Sequence, residues 1–120
     1  MRCLIVDDSK VIRAVTRKIM EELSFETVEA ADGAEAIDRC KEQMPDAILL
    51  DWNMPRVDGL AFLGILRQMD GGQTPIVVFC TSENALDKIA SALKSGANEY
   101  IMKPFDSEII QSKLQQVGLI

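Results

Sequence analysis

The chain has 120 residues and 13.3 kDa, the size of one domain with a real hydrophobic core. A net charge of −6 and a pI of about 4.6 argue against nucleic-acid binding, which leaves a basic footprint. No apolar run approaches the roughly 18 residues of a membrane span, and the absence of histidine excludes imidazole catalysis and imidazole metal ligation.

Strand and helix patterns alternate five times. The first strand, Cys3 to Asp7, is a continuous apolar run ending in Asp7-Asp8, as expected when both sheet faces are covered. Lys10 to Leu23 has helical spacing, with Ile12, Val15, Ile19 and Leu23 on one stripe. Glu26 to Ala30 is a short strand whose two glutamates suggest a sheet edge. Asp32 opens the second helix as N-cap with Glu35 three residues on. Ala36, Ile37 and Cys40 supply its buried face, and Pro45 stops it. Ala47 to Asp51 is the third strand, and Trp52 to Gly59 is a loop punctuated by Pro55 and Asp58-Gly59. Leu60 to Met69 reads as helix, Pro75 to Thr81 as the fourth strand, and Leu86 to Ser95 as the fourth helix, ended by Gly96. Glu99 to Met102 is the fifth strand, leading to Lys103-Pro104. Asp106 begins a last helix with Ile109, Ile110 and Leu114 inward.

This is the signature of βα units. The fold class is α/β, a doubly wound (βα)₅ domain over residues 1–120 with a parallel five-stranded sheet. Two strand orders are compatible with right-handed crossovers, 2-1-3-4-5 and a mononucleotide-binding half. The glycine fingerprints of the second are missing after the first strand. In order 2-1-3-4-5 the switch point falls between the strands that end in Asp7-Asp8 and in Asp51, where ligands bind. The three cysteines, Cys3, Cys40 and Cys80, match neither a disulfide framework nor a zinc site and read as buried thiols.

An acidic residue at one strand end is often just a helix cap. Here Asp7, Asp8, Asp51, Thr81 and Lys103 each stand at a strand end of one sheet edge. Two carboxylates about 5 Å apart repel by roughly 3 kcal/mol at an effective dielectric of about 20. A divalent cation relieves this, and an oxygen-only donor set suits Mg²⁺. Lys103 and Thr81 can then bind an anion beside it. Asp51 becomes a nucleophile forming a labile acyl phosphate, which suits a timed switch.

The chain resembles the receiver domains of two-component response regulators over essentially its whole length. The motifs are Ile5-Val6-Asp7-Asp8-Ser9, Leu49-Leu50-Asp51-Trp52-Asn53-Met54-Pro55 with Asp58-Gly59, Thr81-Ser82-Glu83, and Lys103-Pro104-Phe105. The resemblance implies a flavodoxin-like sheet of order 2-1-3-4-5 and a phosphoacceptor at Asp51. It also implies Mg²⁺ held by Asp8, Asp51 and the Asn53 backbone carbonyl, with Asp7 acting through water. Lys103 would contact the phosphoryl group, before a cis bond to Pro104. Thr81 and Tyr100 would move on phosphorylation, repacking the face of the fourth helix, fifth strand and fifth helix for a downstream target protein. The nearest type is the single-domain chemotaxis receiver, which carries Asn53 and Glu83 to tune dephosphorylation. Ser82, where alanine is commoner, and Cys80 before the threonine are departures.

The phosphodonor implied is a histidine kinase or phosphotransfer protein. The strand pattern starting at Cys3 argues against a cleavable signal peptide and points to the cytoplasm; a monomeric switch binding neither nucleic acid nor membrane is expected. Such a switch turns over only its own phosphoryl group and is not an enzyme on external substrates. Phosphorelay, cell-cycle or stress signalling, and a receiver belonging to a longer regulator, remain open. A Mg²⁺-dependent phosphohydrolase is the remote alternative, since adjacent aspartates replace the D-x-D pair of such enzymes and no length is left for a cap.

Overall fold

The structure, a computed structural model, describes residues 1–52, 54, 56–81, 86–103 and 105–120. Strands and helices alternate as β1 (Arg2–Val6), α1 (Lys10–Glu22), β2 (Glu26–Ala30), α2 (Gly33–Glu42), β3 (Ala47–Asp51), α3 (Gly59–Gln68), β4 (Ile76–Thr81), α4 (Leu86–Lys94), β5 (Glu99–Met102) and α5 (Ser107–Gln116). The five strands are parallel in the order β2-β1-β3-β4-β5, the expected flavodoxin-like arrangement. No helix among the described residues is long and apolar enough to cross a membrane.

Alternation along the strands divides the core in two. Leu4, Val6, Ile48, Leu50, Val77 and Phe79 face α2, α3 and α4 through Ala36, Phe62, Leu63, Leu66 and Ala92. Cys3, Ile5, Leu49, Val78 and Ile101 face α1 and α5 through Ile19, Met20, Ile110 and Leu114. The central strands are therefore apolar throughout, while β2, as its glutamates suggested, takes the edge. All three cysteines are free and buried as expected, and burial pushes the thiols of Cys3 and Cys80 up to about 12 and that of Cys40 up to about 11.

Two helix faces differ from the sequence reading. Val15 is 52% exposed and Ile109 40% exposed. On α1 the buried stripe runs through Thr16, Ile19 and Met20, and Val15 sits roughly 90° from its centre at 3.6 residues per turn. On α5, Ile110 and Leu114 are inward, and Ile109 is turned about 100° away from Ile110. Helix boundaries shift by a residue where Asp58 caps α3, accepting from the Ala61 N–H at 2.8 Å, so that the helix starts at Gly59.

Arg67 joins elements that no apolar pattern links. Its guanidinium donates to the carbonyls of Gly96 (2.6 and 3.1 Å), Gly72 (2.9 Å) and Pro75 (2.9 Å) and to the Asn98 side chain (3.2 Å). Burial lowers its pKa, but these acceptors hold it. Lysine has three donors on a single nitrogen and cannot span them. Arg67→Lys is expected to lower unfolding stability by about 2 kcal/mol, the scale of hydrogen bonds to a charged group. Urea unfolding measures it, and an unchanged midpoint would refute the reading.

Candidate functional site

β1 and β3 are neighbours, with Val6 opposite Leu50. The chain continuing from each strand end therefore brings Asp7 and Asp8 beside Asp51. Carboxylate oxygens of all three lie within 4.8 Å of one another. Asp7 and Asp51 are buried, 4% and 7% exposed, and Asp8 opens to solvent.

Lys103 closes the pocket from the end of β5. Its Nζ donates to Asp7 Oδ2 at 2.8 Å and to Asp51 Oδ1 at 3.0 Å. Its backbone N–H donates to the Thr81 carbonyl at 2.8 Å, which ties the ends of β4 and β5 together. Thr81 itself is 3% exposed. Four of the expected site residues thus meet directly, with Thr81 on the adjoining strand end.

The pocket carries unequal charges. Burial raises the Asp51 pKa above its ordinary value; the Lys103 hydrogen bond opposes the rise, and the charges of Asp7 and Asp8 add to it. For Lys103, burial works against the ammonium, but the hydrogen bonds to Asp7 and Asp51 outweigh it and the pKa is raised. Three carboxylates against one ammonium leave two negative charges in excess. That excess, with an all-oxygen donor set open on the Asp8 side, fits a hard divalent cation such as Mg²⁺.

A stability prediction follows from these directions. A carboxyl whose folded pKa lies above its unfolded value favours the fold when protonated, so its ionisation costs stability as pH rises through that interval. Asp51→Asn removes the cost. In the absence of divalent ions the variant is expected to melt higher than the parent near neutral pH. The gap should close as pH falls below the ordinary aspartate range, where Asp51 is protonated in both states. Paired melting curves against pH test this, and a gap that widens in acid would contradict it.

Tyr100 on β5 is half-buried, with Lys113 Nζ 5.2 Å from its ring centroid and itself 3.6 Å from Glu99 Oε1. Trp52, half-buried next to Asp51, packs on Phe79 with ring centroids 5.1 Å apart. A small cavity of about 10 Å³ lies beside the site, its lining including Trp52, Phe79, Thr81 and Tyr100 together with Lys88, Ile89 and Ala92 of α4. Asn53 and Glu83, expected as a backbone ligand and as tuning residues, and Pro104 with its expected cis bond, lie outside the described residues.

Sequence reasoning missed Arg13. From α1 it donates to the Asp7 carbonyl at 2.7 Å and to Glu29 Oε1 at 3.1 Å, which holds the main chain at the acidic pair. Ser9 completes the turn, its N–H donating to Asp7 Oδ1 at 2.9 Å while its Oγ caps α1 by accepting from Ile12 at 3.2 Å. The cap residue is a readable signal; an arginine aimed at a carbonyl six residues back is not.

A family profile described as response regulator receiver domain matches residues 3–115. The chain is 33% identical over 119 residues to the chemotaxis protein CheY1 of Helicobacter pylori, covering 98% of this chain and 96% of that one. It is 39% identical over 104 residues to the transcriptional regulatory protein PrrA of Mycobacterium bovis, covering 87% of this chain and 44% of that protein. The solved structure of the chemotaxis protein CheY4 of Vibrio cholerae superposes with a TM-score of 0.91 at 30% identity, covering 97% of each chain.

Proposed function

The chain belongs to the response regulator receiver family, whose members are phosphorylation-activated signalling switches, and from that premise we propose that Asp51 is its phosphoacceptor. The observation that carries the reading is the convergence of Asp7, Asp8, Asp51 and Lys103 at one sheet edge.

Receiver domains interact with histidine kinases and downstream targets, and the donor proposed here is a kinase or phosphotransfer-protein phosphohistidine. An Asp51 carboxylate oxygen attacks the phosphorus as the P–N bond breaks, and the electron pair leaves with the histidine nitrogen. Asp51 meets this role because burial keeps its carboxylate basic, and basicity favours nucleophilic attack. Lys103, already 3.0 Å from Asp51, turns from carboxylate to phosphoryl oxygens and balances their charge. Asp8, Asp51 and the Asn53 carbonyl would hold Mg²⁺, Asp7 acting through water; when bound, the ion neutralises phosphoryl charge and orients the group. Glu83 and Asn53 would then tune hydrolysis.

Thr81 and Tyr100 are the proposed relay to the α4-β5-α5 face, where a partner protein docks. The geometry supports a coupled motion. A 10 Å³ cavity holds about one water, far less than a phenol ring. Inward movement of Tyr100 would therefore require the residues lining the cavity to rearrange, and these include Ile89 and Ala92 of α4. The similarity to two chemotaxis proteins favours a motility role, exercised by a cytoplasmic monomer whose residues 1–120 form one receiver domain. The partial match to PrrA favours a second reading, a receiver within a longer regulator, which the length of the encoded reading frame decides.

The test uses Trp52 fluorescence during addition of Mg²⁺ and then acetyl phosphate. The expected record is a Mg²⁺-dependent change followed by a donor-dependent one that reverses by itself. Absence of both responses would overturn the reading.

A further inference from the structure

The loop leading from Asp51 to α3 is tied down at its far half by the first turn of α2. Arg56 takes φ +66°, a left-handed conformation that L side chains disfavour. Its Nη2 and Nε both donate to Asp32 Oδ2, at 2.6 and 3.1 Å. The other oxygen, Asp32 Oδ1, accepts from the Glu35 N–H at 2.8 Å and caps α2. One residue on, the Gly33 N–H donates to the Val57 carbonyl at 3.1 Å, and a Cβ on Gly33 would stand 2.2 Å from that oxygen. Residues 32–33 and 56–57 therefore form a single joint.

Stability alone does not account for Arg56. Its side chain is 64% exposed against 12% for Asp32, and ion pairs with one partner largely in water add little to folding. The positive φ works against the fold as well. Asp32 is nonetheless committed: its pKa is lowered, first by the Glu35 N–H, against burial, and then by Arg56. What the pair does is fix Arg56 and Val57, just ahead of α3, against the first turn of α2.

We propose that Arg56 and Asp32 are positioning residues for phosphoryl transfer, their ion pair fixing residues 56–57 against α2 and, with them, the start of α3, where the Gly59 N–H donates to the Trp52 carbonyl beside Asp51 at 3.1 Å. The inference rests on the reading of Asp51 as phosphoacceptor. Releasing the joint leaves the pocket assembled in a smaller fraction of molecules, and binding and reaction fall with that fraction.

The full chain is compared with Arg56→Gly, Asp32→Asn, their double variant and Arg56→Lys. Glycine accepts the positive φ without strain, so Arg56→Gly is expected to fold with a urea midpoint no lower than the parent, whereas Asp32→Asn keeps the cap but loses the stabilisation of its ionised carboxylate and is expected to unfold somewhat earlier near neutral pH. Phosphoryl uptake from acetyl phosphate is expected to slow about fivefold in each single variant, the factor that about 1 kcal/mol represents. The Mg²⁺ midpoint read by Trp52 should rise alongside. The double variant should be no slower than either single one, the signature of one shared contact, and Arg56→Lys should recover part of the rate. Parental rates and midpoints in Arg56→Gly, additive losses in the double variant, or slowing of Arg56→Gly matched by a lower urea midpoint would each overturn the inference. If the parent chain takes up no phosphoryl group, the reading of Asp51 falls and this inference with it; parental uptake with an indifferent Arg56→Gly removes the inference alone.

Discussion

Asp51→Asn is expected to take up no phosphoryl group from acetyl phosphate in the presence of Mg²⁺, its initial rate falling at least about a thousandfold, because the nucleophile is removed. An amide is a poor nucleophile, and the neighbouring carboxylates do not substitute for it. Asp7 is equally buried but has both oxygens engaged, Oδ1 by the Ser9 N–H and Oδ2 by Lys103. Asp8 is exposed and better solvated. Asp51 combines burial, a raised pKa and an adjacent ammonium, so its charge is poorly satisfied before the phosphoryl group arrives. Intact-mass measurement after donor treatment, with hydroxylamine to cleave an acyl phosphate, reads the result. A hydroxylamine-sensitive adduct persisting in the variant would move the acceptor to another residue.

The second large effect is expected at Gly59, the first residue of α3. A Cβ there would stand 2.3 Å from the Asp51 carbonyl oxygen, 2.8 Å from the Phe79 ring and 3.2 Å from Trp52 Cα. Two of these three are backbone atoms of the site itself, and the ring belongs to a core residue 1% exposed. Gly59 also donates its N–H to the Trp52 carbonyl at 3.1 Å, so the helix cannot retreat without losing that bond. Gly59→Ala should lower stability by about 3 kcal/mol, the upper range of overpacking, and should blunt the Trp52 response to Mg²⁺. Gly64, on the same helix with nothing within 4 Å of its would-be Cβ, is the control: Gly64→Ala should raise stability by about 0.5–1 kcal/mol through helix propensity. Equal effects of the two substitutions would show that close approach at Gly59 is not what excludes a side chain.

The parts of this fold that are readable in the sequence are those written in local chemistry. Continuous apolar runs mark strands covered on both faces, and the two glutamates of β2 mark the edge. Asp32 and Asp106 mark helix starts, and each accepts the expected backbone N–H. The acidic pocket was legible because the C-terminal ends of parallel strands share an edge, so chain position translates directly into spatial position. What escaped depends on rotation and reach. Val15 and Ile109 are apolar at the margins of their stripes, and only the packed helix decides which side is covered. Thr16, polar by type, is buried in Val15's place. Arg13, Arg56 and Arg67 act on carbonyls and caps distant in sequence, and an arginine reads the same on a solvated face as beneath a loop.

The bond from Lys103 to Asp7 joins residues 96 positions apart. While a ribosome is still extending the chain, β1 and β3 can exist without β5, and the three aspartates then have no lysine among them. The ammonium arrives with β5, which pairs with β4 while α5 packs on the same side of the sheet. The charge balance of the pocket is thus set by a long-range closure of the sheet, and it is complete only once β5 has docked.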